Sequence, residues 1–162
     1  MDNYTIKVGD LIIDSEQIHV VSKIENSNIH YVPLLKDSNK GSSSSFIPLS
    51  NFSKACLRPL LTKKEIKAFI KQISKELPLN FPESNNQANN TNLLKEVLYQ
   101  NDPLKTGRLL KYLNLRASKT ELSRFEKLIF DQAIDHLSSE ISVVNGIKPD
   151  VAKKQLLSAI KR

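Results

Sequence analysis

The sequence predicts an α+β fold: a small, strongly curved antiparallel β-module over residues 1–60, followed by an all-α helical module over 61–162. Three observations predict it. Up to Leu49 the chain runs in short, β-branched stretches separated by turn residues, the pattern of short strands. From Thr62 onward, apolar residues recur at helical spacing between cap and stop signals. The charge also changes sign along the chain. Residues 1–50 hold four lysines against six acids, whereas residues 51–162 hold twenty Lys and Arg against eleven acids. The two parts are therefore expected to meet different partners, the basic one being the candidate for phosphate.

In order, Tyr4, Ile6 and Val8 alternate with polar residues, Gly9-Asp10 marks a turn, and Leu11-Ile12-Ile13 resumes as strand. Ile18–Ile24 and Ile29–Leu35 read as further strands, joined by the turn chemistry of Glu25–Asn28. Pro33 fits an edge or an irregularity better than a central ladder. Lys36–Ser45 reads as a loop, and Phe46–Leu49 as a short last strand. Four or five short strands in so few residues predict a barrel-like sheet, because closure hides edges. Cys56, the single cysteine, lies in the apolar context ACLRPLL and is expected to be buried.

Thr62 and Glu65 fit a capping box, and Ile66, Phe69, Ile70, Ile73 and Leu77 then share one helix face until Pro78. The stretch from Leu79 to Asn92, with five asparagines between Asn85 and Asn92, reads as a linker. Leu93–Tyr99 is expected to be a short helix. Asp102 followed by Pro103 starts the next, Leu104–Leu115, with Leu109, Leu110 and Leu113 inward and Lys105, Arg108 and Lys111 along one side. Ser118 or Thr120 caps a long helix in which Leu122, Phe125, Leu128, Ile129, Ala133, Leu137 and Ile141 keep the helical period, closed by Asn145-Gly146. A basic extension over about 147–162 follows, with Val151, Leu156 and Ile160 apolar, and reads as a helix against the bundle.

Chemistry is not expected. The four glycines are isolated, so there is no phosphate loop. One cysteine and three scattered histidines give no metal-ligand spacing, so neither metal nor other cofactor is called for. Asp131 and Asp135 share a helix face, but Lys127 four residues before Asp131 points to ordinary surface pairing. His136 reads as a helix-surface histidine. No apolar run is long enough to cross a bilayer and no signal peptide is visible, so a cytoplasmic location is expected, with no membrane partner.

The order of parts resembles the CarD/CdnL family of bacterial transcription regulators, whose front module is similar to the RNA-polymerase-interacting domain of transcription-repair coupling factors. The resemblance spans roughly Tyr4 to Val144. Its carriers are IKVGDLII, FIPLSN and CLRPLLTKKEI in the front part, and two segments in the back. LLKEVLYQNDPLKTGRLLKYL matches a short helix, a break usually written Gly-Asp (here Asn101-Asp102), and a following helix. LSRFEKLIFDQAIDHLSSEIS matches through Leu122, Glu126, Lys127, Leu128, Ala133, Leu137, Glu140 and Ile141.

The resemblance implies a Tudor-like β-module that binds the β subunit of RNA polymerase, with Lys23, Ile24, Phe46, Ile47 and Pro48 at the contact. It implies a helical module that touches upstream promoter DNA and modulates open-complex stability. Lys95, Lys105, Arg108, Lys111, Arg116, Lys119, Arg124 and Lys127 are the pool for phosphate contacts, which position a protein without reading sequence. A monomer associated with the nucleoid is expected. The chain departs from the family where a tryptophan usually acts as a wedge: it has none, and the matching position is about Gln87. Phe81, the nearest aromatic, is expected to serve in core or linker contacts. The family's glycine-containing turn after the first strand is replaced by DSEQIH, and two polymerase-facing arginines by Phe46 and a residue within Asn26–Asn28. The competing expectation is therefore a protein–protein adaptor on the same scaffold without wedge activity.

Overall fold

The structure, a computed structural model, describes residues 5–14, 17–34, 44–52, 54–80 and 87–161, the side chains of 87–90 excepted. The chain divides into two compact units, Met1–Leu60 and Leu61–Arg162. An antiparallel sheet forms the first and helices the second, an α+β architecture as the strand and helix patterns predict.

The front unit holds β1 (Leu11–Asp14), β2 (Gln17–Glu25), β3 (Asn28–Pro33), β4 (Ser45–Pro48) and β5 (Arg58–Pro59), in the spatial order β4-β3-β2-β1-β5. β2 and β3 pair through Glu25↔Asn28, leaving a two-residue turn in which Asn26 and Ser27 both have positive φ (49° and 60°). That is the turn whose twist matches a hairpin, and asparagine tolerates it well. A bulge between Val21 and Lys23 breaks the ladder, and the unpaired Ser22 donates its hydroxyl to the His30 carbonyl at 3.1 Å. Pro33 sits past the last β3–β4 pair, Tyr31↔Ser45, where a missing N–H costs that ladder nothing.

β5 was not foreseen, because two residues carry no period. The expected closure into a barrel is not seen either, since the described pairings leave β4 and β5 as open edges. The opening residues also differ from a strand. Ile6 reaches the core, Val8 is exposed, and Gly9, at φ +92°, turns the chain so that its N–H donates to the Val21 carbonyl at 2.8 Å. Tyr4, the Asp14–His19 turn in part (Ser15 and Glu16) and most of the 36–45 loop lie outside the described residues.

Ile6, Ile12, Val21, Ile29, Tyr31 and Leu57 form the front core, with Ile47 and Phe52 against it. Tyr31 spans it: its ring edge meets His19 at 5.3 Å between centroids, and its hydroxyl donates to Asp14 Oδ2 at 2.7 Å. Burial first, then the hydrogen bond to Asp14 and its charge, raise the Tyr31 phenol above its ordinary range. Cys56 is exposed, at φ +53°, rather than buried as its apolar neighbours suggested; the turn that carries it points its side chain outward while Leu57 goes inward.

The helical unit holds α1 (Lys63–Lys75), α2 (Gln87–Tyr99), α3 (Pro103–Ala117), α4 (Arg124–Asn145) and α5 (Pro149–Ile160). Thr62 and Glu65 do form the capping box of α1, and Asp102 caps α3 by accepting from Leu104 and Lys105 N–H. α1 stops at Lys75, two residues short of the expected face, because Glu76 turns extended; Leu77 is left 75% exposed. α2 begins at Gln87, so the last six residues of the expected linker, 87–92, are helical. Asparagine is a weak helix former, and Leu94 and Leu98, buried in the core, hold the helix by tertiary contact.

α4 is capped by Ser123 with Glu126 in a second capping box, while Ser118 ends α3 instead. Leu122, Ile129, Ala133, Leu137 and Ile141 are buried as expected, but Leu128 is exposed and Ile134 takes the inward place. His136 is buried rather than on the surface, since the inward face of a helix enclosed by α3 and α5 is wider than one period suggests. Gly146, at φ +67°, closes α4. The basic extension is no appendage: α5 places Ala152, Leu156, Ala159 and Ile160 in the same core.

Gly107 sets how closely α1 and α3 approach. A Cβ there would lie 2.8 Å from the Ile73 side chain and 3.3 Å from Phe69. Glu140, buried in α4, accepts from the Leu61 N–H at 2.8 Å and so ties the first residue of the unit to its longest helix.

Candidate nucleic-acid interface and sheet edge

The eight expected phosphate contacts divide into two groups. Lys105, Arg108 and Lys111 do line one side of α3, but that side turns progressively inward. Lys105 is exposed and donates to Gln100 Oε1 at 2.7 Å. Arg108 is half-buried and its Nε donates to the Leu77 carbonyl at 3.0 Å. Lys111 is only 6% exposed, and its ammonium donates to the carbonyls of Ser74 (3.2 Å) and Glu76 (2.8 Å). These are carbonyls that the end of α1 leaves without helical partners. Lys111 is thus a clasp for a helix C-terminus, where a cation also suits the dipole, and it is withdrawn from the surface set.

The other five gather around the turn from α3 to α4. Arg116, in the last turn of α3, meets Glu126 in the first turn of α4 at 2.6 Å. Lys127 meets Glu121 at 2.7 Å, rather than Asp131, and this hydrogen bond, followed by its charge, holds the Glu121 carboxyl below its ordinary range. Asp135 pairs instead with Lys153 of α5 at 3.6 Å. Lys95, from α2, stands 5.3 Å above the ring of Phe125, which brings it to the same end of the unit. Lys119 and Arg124 are exposed and in no ion pair among the described residues. The site is therefore a cluster of five cations, four from three helices and Lys119 from the turn, with two acids inside it, beside the positive N-terminus of a 22-residue helix.

In the front unit the sheet sorts the expected polymerase contacts by face. Lys23, His30 and Phe46 lie opposite one another across three strands. Phe46 is 66% exposed, its ring 5.7 Å from that of His30. Lys23 forms an ion pair with Glu25, which holds that carboxyl below its ordinary range. Ile24, Ile29 and Ile47 form the next row, on the core side. Ile47 is half-buried and packs against the core, while Ile24 stays at the rim. Pro48 is exposed at the end of β4. β4 is an edge, with no described strand on its outer side.

Gln87 is the first residue of α2, and its side chain, like Phe81, lies outside the described residues. The Asn101-Asp102 break is a left-handed turn: Asn101 has φ +56°. Glycine and asparagine are the residues that adopt this conformation most readily, which accounts for one standing where the resemblance expects the other. Among the described residues no group of three or more His, Cys, Asp or Glu could hold a metal ion, and no helix is long and apolar enough to cross a membrane.

The protein thus has a β-unit whose strand β4 is an open edge among the described strands, followed by a helical unit that gathers cations at the α3–α4 turn. Its helical unit is of known kind: the model of the CarD C-terminal domain matches residues 80–157, covering α2, α3, α4 and most of α5. Over these residues the chain carries a CarD C-terminal domain, which supports a CarD-like, transcription-associated protein. No curated protein matches it.

Proposed function

We propose that this protein is a bacterial transcription regulator that binds the β subunit of RNA polymerase through its front unit and upstream promoter DNA through its helical unit. The observation that carries the reading is the convergence of Lys95, Arg116, Lys119, Arg124 and Lys127 inside the matched CarD domain. Cations so arranged neutralise phosphates and release counterions, independent of base sequence. On the polymerase side, the open edge of β4 suits strand addition, in which main-chain hydrogen bonds give affinity and neighbouring side chains, here Phe46, Lys23 and Pro48, give fit. The protein acts as a monomer, in the cytoplasm at the nucleoid, without a catalytic step.

A second reading has its own support. A wedge at the edge of melted DNA compensates for unstacking, which costs about a few kcal/mol per step, and the chain contains no tryptophan to supply it. The protein is then an adaptor between polymerase and other proteins. One experiment separates the two: binding of the full chain to the polymerase β lobe, followed by open-complex lifetime at a promoter with and without the protein. A longer lifetime that Phe46→Ala abolishes supports the regulator. Binding with unchanged lifetime supports the adaptor, and no binding refutes both.

A further inference from the structure

The first helix carries charge that neither the core nor the cation cluster accounts for. α1 reads KKEIKAFIKQISK, with five lysines in thirteen residues, and all five are exposed. At about 100° per residue, Lys63, Lys64, Lys67, Lys71 and Lys75 fall within an arc of about 120°. Ile66, Phe69 and Ile73 face the opposite way, into the core. The acids, Glu65 and Glu76, lie off the arc, and no described ion pair holds any of the five lysines.

Local physics opposes this arrangement. Lys63 and Lys64 occupy the first turn, where the helix dipole disfavours cations. Lys67, Lys71 and Lys75 repeat every fourth residue, where like charges repel. The helix is nonetheless held firmly by other means: the capping box at Thr62, the close approach of Ile73 to Gly107, and the Lys111 and Arg108 hydrogen bonds at its C-terminal end. A rigid rod with successive cations about 6 Å apart along its axis is a counterpart to a regularly charged polymer.

We infer that α1 is a second nucleic-acid face, a lysine rail that lies along the phosphates of duplex DNA separately from the cluster at the α3–α4 turn. α1 lies before the matched CarD domain, so the inference adds a surface to the proposed function; it shares with that reading only nucleic acid as partner. An anionic membrane is a poorer occupant, because a helix that lies in a lipid interface needs an exposed apolar face, and that of α1 is spent on the core.

The test uses the full chain and a labelled duplex of arbitrary sequence, with binding followed by anisotropy between about 50 and 200 mM salt. Three variants are compared with the parent: Lys67→Gln with Lys71→Gln and Lys75→Gln; Lys119→Gln with Arg124→Gln; and a control, Lys148→Gln with Lys154→Gln and Lys161→Gln. The rail variant is expected to lower the magnitude of the log K against log salt slope by about 0.9 for each phosphate it no longer neutralises, and so by up to about 2.7. The control should leave the slope almost unchanged. A rail variant with the parent slope overturns the inference while leaving the proposed function standing if the α3–α4 variant shows a smaller slope. An equal reduction in the control overturns it as well, since charge anywhere would then suffice. Failure of the parent to bind duplex overturns both, and tighter binding to phosphatidylserine vesicles than to duplex, abolished in the rail variant, reassigns the rail to membrane.

Discussion

Lys111 against Lys119 tests the distinction between a lysine that holds the fold and one proposed to meet DNA. Lys111→Met keeps the stem that lies between α3 and α1 and removes the ammonium. Two charge-assisted hydrogen bonds, to the Ser74 and Glu76 carbonyls, disappear with it. Each contributes about 1.5–3 kcal/mol when its partner is left buried, and the dipole interaction adds about 0.3–1 kcal/mol. Against this, the variant no longer buries a charge, which offsets a substantial part. A net loss of about 2–3 kcal/mol is expected, which for a unit of about one hundred residues lowers Tm by about 10 °C. Thermal unfolding followed by helical circular dichroism measures it. The salt slope of duplex binding should stay at the parent value. Lys119→Met should do the reverse, with unchanged Tm and a slope smaller by about 0.9. A Lys111→Met protein that melts like its parent and binds duplex less well would refute the clasp.

Two further perturbations test the fold around the sites. The raised Tyr31 phenol contributes stability that is fully present below its ordinary pKa of 10.0 and is lost as pH rises through the higher folded value. Denaturant midpoints of the front unit should therefore fall above pH 10.0, and Tyr31→Phe should flatten that fall while costing about 1–2 kcal/mol at neutral pH through the missing bond to Asp14; an unchanged alkaline fall would show that another group carries it. At Asn101, with φ +56°, Asn101→Gly and Asn101→Ala both remove the amide, so their difference isolates the backbone. The alanine variant should be less stable than the glycine one by about 1–2 kcal/mol in thermal unfolding, and equal stabilities would mean that the turn relaxes at no cost.

What the sequence made legible is what local rules govern. The capping box at Thr62, the Asp102-Pro103 start, the Gly146 stop and the strand period of β2 and β3 each rest on neighbours within a few residues, and each is found. The misses need distant partners. β5 exists only because Arg58 and Pro59 pair with Ile13 and Ile12. The helical start of α2 at Gln87 runs against asparagine's propensity and depends on Leu94 and Leu98 finding the core. Cys56 is exposed because its turn takes a positive φ that the apolar context does not announce.

The same distinction governs the candidate sites, and there it changes the physical picture. Net charge counts every lysine equally, but a lysine acts on a phosphate only if its ammonium is both exposed and not already committed. Lys105, Arg108 and Lys111 are equally spaced along α3, and spacing alone makes them equivalent. What distinguishes them is α1, whose end leaves carbonyls beside the inner part of that row and none beside Lys105. Arg116 and Lys127 are likewise half-neutralised by Glu126 and Glu121, so the field at the α3–α4 turn rests on Lys95, Lys119 and Arg124 with the helix N-terminus behind them. Within the charge of the back half two groupings stand out, this turn and the outer face of α1, beside the separate exposed lysines of α5 and its ends, Lys148, Lys154 and Lys161. Lys63, Lys67, Lys71 and Lys75 recur every fourth residue, but such a repeat on a helix becomes a surface only once the core has claimed the opposite face.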